Sequence, residues 1–126
     1  MTYVDAFVLV VPKNKTGEYQ KIARMAGKVW MKHGALSYKE CIGDDLHPDM
    51  QGHKMLTFPQ LTKLKKDEAV WYSFITYKNK GHRNKVNKAV MEEFKKNAKE
   101  HEDMMKDMQF DMKRMSYGGF KAVVDF

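Results

Sequence analysis

Apolar positions run together in some stretches of the chain and recur at three- and four-residue spacing in others, and this pattern alone divides it into elements. Tyr3–Val11 is a β-branched and aromatic run closed by Pro12, the signature of a buried strand. Thr16 stands where it would cap a helix in which Tyr19, Ile22, Ala23, Ala26, Val29 and Trp30 form one apolar stripe, ended by Gly34. Ala35–Gly43 alternates as a second strand, and Asp44 to Gly52 has loop composition. Met55–Leu64 reads as a short irregular strand interrupted by Pro59, and Lys65 to Glu68 as a polar turn. Ala69–Tyr77 is the strongest strand signal and is expected at the sheet centre. From about His82 a second helix carries Val86, Val90, Phe94 and Ala98 at four-residue spacing. Glu100–Met115 reads as a methionine-rich connection, Gly118-Gly119 as a break, and Phe120–Phe126 as a last strand. The predicted order is βαββαβ, a ferredoxin-like α+β domain over residues 1–126 with two helices on one face of an antiparallel sheet.

Two helices cover only one face of such a sheet, so the other must meet water, a ligand or another subunit. The wholly apolar set Val4, Ala6, Val8, Val10 is expected to pack on the helices, leaving Asp5, Phe7, Leu9 and Val11 opposite. That second set is also largely apolar, and Ala69–Tyr77 carries large side chains on both faces. The pattern therefore predicts a C2 homodimer whose sheets face each other, a dimeric α+β barrel.

With 126 residues, 43% of them apolar, the chain is long enough for one core and too hydrophobic for a disordered tail. No apolar run approaches the roughly 20 residues of a membrane-spanning helix, and Met1–Val11 has no signal-peptide pattern, so a cytoplasmic protein is expected. The single cysteine, Cys41, excludes an internal disulfide framework and a multi-cysteine zinc site. A net charge of +7 is concentrated in two stretches, Lys13–Lys32 and Lys78–Lys88. Lys80, Arg83 and Lys85 in the second form the candidate anion site, although a solvated helix face explains the charges as well and no RNA-binding motif accompanies them.

Asp5 and Glu40, placed by strand parity in the inter-sheet space, are candidate proton-transfer groups, because desolvation there raises a carboxylate pKa. His33 is a third candidate, with a role as a helix C-terminal dipole partner as its structural alternative. Phe7, Tyr38, Trp71 and Ser73 are expected to line an apolar pocket at the sheet face. Asp44, Asp45, His47, Asp49 and His53 are metal-type ligands without metal-site spacing, and read as loop. Met104, Met105, Met108, Met112 and Met115 read as adaptable core filling rather than a cuprous site. Asn87 either donates to a loop carbonyl or faces water. No cofactor is called for.

The segments Tyr3-Val4-Asp5-Ala6-Phe7, Gly34-Ala35-Leu36 through Glu40-Cys41, Trp71 to Tyr77, and Lys113-Arg114-Met115-Ser116-Tyr117-Gly118-Gly119-Phe120 together resemble the bacterial YbaA-like family, a domain of unknown function. The resemblance spans nearly the whole chain. It implies a dimeric α+β barrel with a pocket between sheet and helices, and no established reaction. The loop Leu46–His53 looks longer than usual, and Gln109 stands where the family has proline. Three readings follow: a homodimer binding a small organic molecule, with cofactor-free oxygen or proton-transfer chemistry open to it; a basic RNA- or anion-binding accessory protein; and a purely structural homodimer.

Overall fold

The computed structural model describes residues 2–126. Strands β1 (Tyr3–Pro12), β2 (Ser37–Ile42), β3 (Glu68–Tyr77) and β4 (Ser116–Lys121) form one sheet in the order β2-β3-β1-β4, every neighbouring pair antiparallel. Helix α1 (Thr16–Lys32) follows β1, α2 (Phe58–Thr62) lies in the β2–β3 connection, and α3 (Lys80–Lys96) and α4 (Ala98–Met108) follow β3. The protein is thus α+β, with a four-stranded antiparallel sheet and several helices. Among the described residues no helix is long and apolar enough to cross a membrane.

Sheet parity is the reverse of the sequence expectation. The face clad by α1, α3 and α4 carries Tyr3, Asp5, Phe7, Leu9 and Val11 of β1, Trp71, Ser73, Ile75 and Tyr77 of β3, and Tyr38 and Glu40 of β2. Val4, Ala6 and Val8 lie on the other side, beside Tyr72 and Phe120. Both faces are apolar, so hydrophobicity alone does not distinguish them. Large side chains stand on both, Tyr3, Phe7, Trp71 and Tyr77 filling the gap between sheet and helices and Tyr72, Phe74 and Phe120 lying on the other side.

Three further elements differ from the pattern. Met55–Leu64 is not a strand: Thr57 caps α2 in a capping box with Gln60, and Pro59 occupies the first turn, where its missing N–H costs nothing. Within the expected connection Glu100–Met115, residues up to Met108 are helix α4, which seals the core with Met108 at 1% exposure. Its C-terminus is tied to the start of α1 by Lys15 Nζ donating to the Asp107 carbonyl.

The last strand is Ser116–Lys121, not Phe120–Phe126, and Gly118-Gly119 lie inside it. A Cβ on Gly119 would collide with the Tyr3 hydroxyl and the Arg83 guanidinium, so glycine here admits a buried pair rather than breaking the chain. At the helix termini, Thr16 donates to the Lys13 carbonyl instead of capping α1, and Asn79 caps α3.

Candidate functional site

Helix α1 approaches β2 closely because Gly27 has no side chain: a Cβ there would stand 2.8 Å from the Tyr38 ring. The approach brings Tyr19 of α1 over Glu40. Its hydroxyl donates to both carboxylate oxygens at 3.0 Å, and the Tyr38 hydroxyl donates to Oε1 at 3.0 Å. No lysine, arginine or histidine among the described residues pairs with Glu40. Burial raises its pKa, the two phenol hydrogen bonds opposing the shift. Burial, reinforced by the charge of Glu40, also pushes both phenols up.

Glu40 separates two spaces. Inside, between the clad sheet face and the helices, is a cavity of about 280 Å³ whose lining includes Phe7, Tyr38, Ser73, Trp30, Phe94 and Met105. Outside, between α1 and the edge strand β2, an open cleft of about 590 Å³ is bounded by Arg24, Lys28, Ile42 and Trp71. Glu40, Tyr38 and Ala23 border both.

Phe7, Tyr38 and Ser73 are thus brought together, while Trp71 lines the outer cleft. The space is not at the uncovered sheet face, where parity had put it. Trp71 is 5% exposed, stacks edge-on to Tyr19 at 4.8 Å, and has an indole Nε1–H with no acceptor. His101 of α4, in the stretch expected to be a connection, also lines the cavity and stacks on Phe94 at 4.5 Å.

Asp5 is elsewhere. It is 1% exposed beneath α3, with Arg83 Nε 3.5 Å from its Oδ1, rather than in an inter-sheet space with Glu40. Arg83 donates to the Tyr3 hydroxyl at 3.0 Å and lies 5.0 Å over its ring. Burial, with the Asp5 charge nearby, raises the Tyr77 and Tyr117 phenols.

The anion trio therefore separates: Lys80 and Lys85 are exposed, while Arg83 is committed inward. His33 caps the C-terminal end of α1 and meets Glu93 at 2.8 Å, outside both spaces. Asn87 faces neither loop nor water; its Oδ1 accepts from Trp30 Nε1 at 3.2 Å and from the Tyr77 hydroxyl at 3.1 Å. Cys41 is exposed on β2. Among the described residues, no three His, Cys, Asp or Glu side chains are grouped to hold a metal ion.

A second carboxylate is held differently. Arg114, from the Lys113–Phe120 motif, grips Glu68 with two parallel bonds of 2.6 and 2.7 Å and also binds Asp111 at 2.9 Å. These hydrogen bonds lower the Glu68 pKa to about 2. Nothing in the sequence marks this arginine beyond its place in that motif.

Comparison with known proteins agrees with the motif reading. Residues 2–113 match the family described as "Protein of unknown function (DUF1428)". The "Uncharacterized protein YbaA" of Escherichia coli (strain K12) is 34% identical over 125 residues, covering 99% of each chain, and the protein of that name in Shigella flexneri matches equally. A solved structure, "De novo designed protein Foldit4", is 8% identical, with 96% of this chain and 98% of that chain covered at a TM-score of 0.49. With a family match and a relative that both span nearly its full length, the chain belongs to the DUF1428 family of proteins of unknown function.

Proposed function

We propose that the protein is a homodimeric, ferredoxin-like α+β barrel that binds a small, mainly apolar organic molecule between the helices and the sheet. The observation that carries this reading is the Glu40 carboxylate, held at the edge of an apolar cavity by two phenol hydroxyls and no cation. An isolated buried carboxylate is costly unless it has a polar task. The inner cavity, about 280 Å³, falls just under the usual range for ligand sites, and cavities of about 150 Å³ already take benzene, so a one- or two-ring molecule fits. Proton transfer with Glu40 as acceptor is the chemistry such a site offers.

The dimer is supported by the uncovered face, where Val4, Ala6, Val8, Tyr72, Phe74 and Phe120 present an apolar surface, with Lys39 of the edge strand β2 beside Phe74. The order β2-β3-β1-β4 supports the ferredoxin-like description. The RNA reading is less favoured, since Arg83 is unavailable to phosphate.

The test is a titration of methyl-¹³C-methionine protein with p-cresol. Met91, Met105 and Met115 line the cavity and should shift saturably, while Met55, 62% exposed, should not. Unchanged cavity methionines at millimolar p-cresol would remove the pocket. Light scattering at micromolar concentration should give twice the chain mass, and Phe120→Glu should halve it; a monomeric parent protein would contradict the dimer.

A further inference from the structure

The inner cavity has a polar end that its apolar walls do not explain. Phe7, Ser73 and Glu40 stand in one row across β1, β3 and β2, on the face clad by the helices, and all three line the cavity. Glu40 and Ser73 are direct partners on the β2–β3 ladder, which sets their Cβ atoms roughly 4.5–5.5 Å apart. Ser73 is 4% exposed, and its hydroxyl takes part in no hydrogen bond among the described residues. The polar side-chain atoms that are both closed to solvent and unpartnered there are Asp5 Oδ1, Trp71 Nε1 and Arg83 Nε; Ser73 Oγ is not among them, so it opens on the cavity that the residue lines. Glu40 Oε1 accepts from Tyr19 and Tyr38 and Oε2 from Tyr19 alone, so of the roughly four acceptor sites of a carboxylate one remains, on Oε2. Phe7, Trp30 and Phe94 give the rest of the wall flat aromatic surfaces. No lysine or arginine lines the cavity, so a ligand carboxylate would meet the Glu40 charge without a fixed cation to offset it.

Resting on the ligand-binding reading above, we propose that the inner cavity takes a neutral aromatic lactam, a flat ring carrying a cis-amide, whose N–H donates to Glu40 Oε2 and whose carbonyl oxygen accepts from the Ser73 hydroxyl. The amide presents donor and acceptor side by side along one edge, as the strand row presents Glu40 beside Ser73, and the ring lies against Phe7, Trp30 and Phe94. Recognition then needs both polar groups of the ligand. Lacking the N–H, a ligand leaves Glu40 without the extra donor; lacking the carbonyl, it leaves the Ser73 hydroxyl unpaired.

The experiment titrates full-length methyl-¹³C-methionine protein with 2-quinolone, with 1-methyl-2-quinolone, which lacks the donor, and with indole, which lacks the acceptor. The lactam should shift Met91, Met105 and Met115 saturably, and each of the other two should bind at least about tenfold more weakly. Ser73→Ala should bring the affinity for 2-quinolone down to that for indole and leave indole unchanged. The ranking of the three probes on the parent protein stands whether or not that variant folds. Equal affinity for the three probes, or a Ser73→Ala protein that keeps the preference for 2-quinolone over indole, overturns the proposal. Methionine shifts with p-cresol in that event leave the cavity reading intact; silence of the cavity methionines toward every probe ends both.

Discussion

Glu40 and Glu68 are glutamates in one small fold, and their surroundings push their pKa values in opposite directions. Glu68 lies in the fork of Arg114, charge against charge, and its pKa falls to about 2. Glu40 has only phenol hydroxyls for company, and burial lifts its pKa. The first arrangement is self-sufficient: the fork joins the start of β3 to the segment leading into β4 and leaves nothing for a ligand. The second is unfinished, a carboxylate bordering two spaces with its countercharge missing. Structure is built where charges are matched, and chemistry is to be sought where they are not.

The sharpest way to break the comparison is at Arg114. Arg114→Leu should cost about 2–3 kcal/mol, since it strips Glu68 of its charged partner, leaving only the Lys65 N–H, and releases Asp111 and the Lys63 carbonyl. The loss, measured by urea unfolding at pH 7, should have a signature in acid. The folded pKa of Glu68 is depressed, so its contribution is present above the unfolded value near 4.3 and is lost as pH falls through about 2. The variant should therefore lose part of the acid-limb slope of the parent protein; an unchanged slope would separate Glu68 from that limb.

Gly27→Ala comes next, at about 1–2 kcal/mol, because the new methyl overlaps the Tyr38 ring and pushes α1 from β2.

Tyr19→Phe should cost about 1 kcal/mol at pH 8, where Glu40 is charged and loses a donor to both oxygens. The cost should shrink as pH falls through the raised folded pKa of Glu40 and the carboxylate takes up its proton. A pH-independent loss would show that the contribution of the Tyr19 hydroxyl does not depend on the charge of Glu40.

Glu40→Gln has the smallest effect and the opposite sign. A raised folded pKa means that the native state holds the proton more tightly than the unfolded chain, so stability falls as pH rises through that interval. The amide keeps an acceptor for the tyrosines and removes the buried charge. The melting temperature should rise by a few degrees at pH 8, roughly one kcal/mol or less, and not at pH 4. A lower melting temperature at both would show Glu40 to be a stabilising ion.

Much of this contrast was hidden from the sequence for reasons that lie in particular residues. The core segments of β1, α1, β2, β3 and α3 follow from apolar spacing, because each buries one continuous stripe. The face did not follow: Val4-Ala6-Val8-Val10 is purer in composition than Tyr3-Asp5-Phe7-Leu9, and a buried Asp5 is made tolerable by Arg83 reaching it from α3 with the Tyr77 and Tyr117 phenols beside it. That inversion moved Glu40 from an inter-sheet space to the cleft beside α1. The capping box at Thr57–Gln60 was a readable start for α2, overshadowed by Pro59. In α4, His101, Met105 and Met108 keep helical spacing inside a stretch so charged that it reads as a linker. Phe7, Tyr38 and Ser73 were legible as a group because their strands pair in register whichever face they occupy. Arg114 was visible only as part of a motif, since its partner Glu68 is 46 residues away.

The central claim is that Glu40 is a desolvated carboxylate without a countercharge, and the direct measurement is the pH titration of its side-chain ¹³Cδ resonance, assigned with Glu40→Gln. The account predicts a midpoint clearly above the ordinary glutamate value of about 4.3. A midpoint at or below that value would mean that Glu40 is solvated or paired with a cation, and the site built on it would fall.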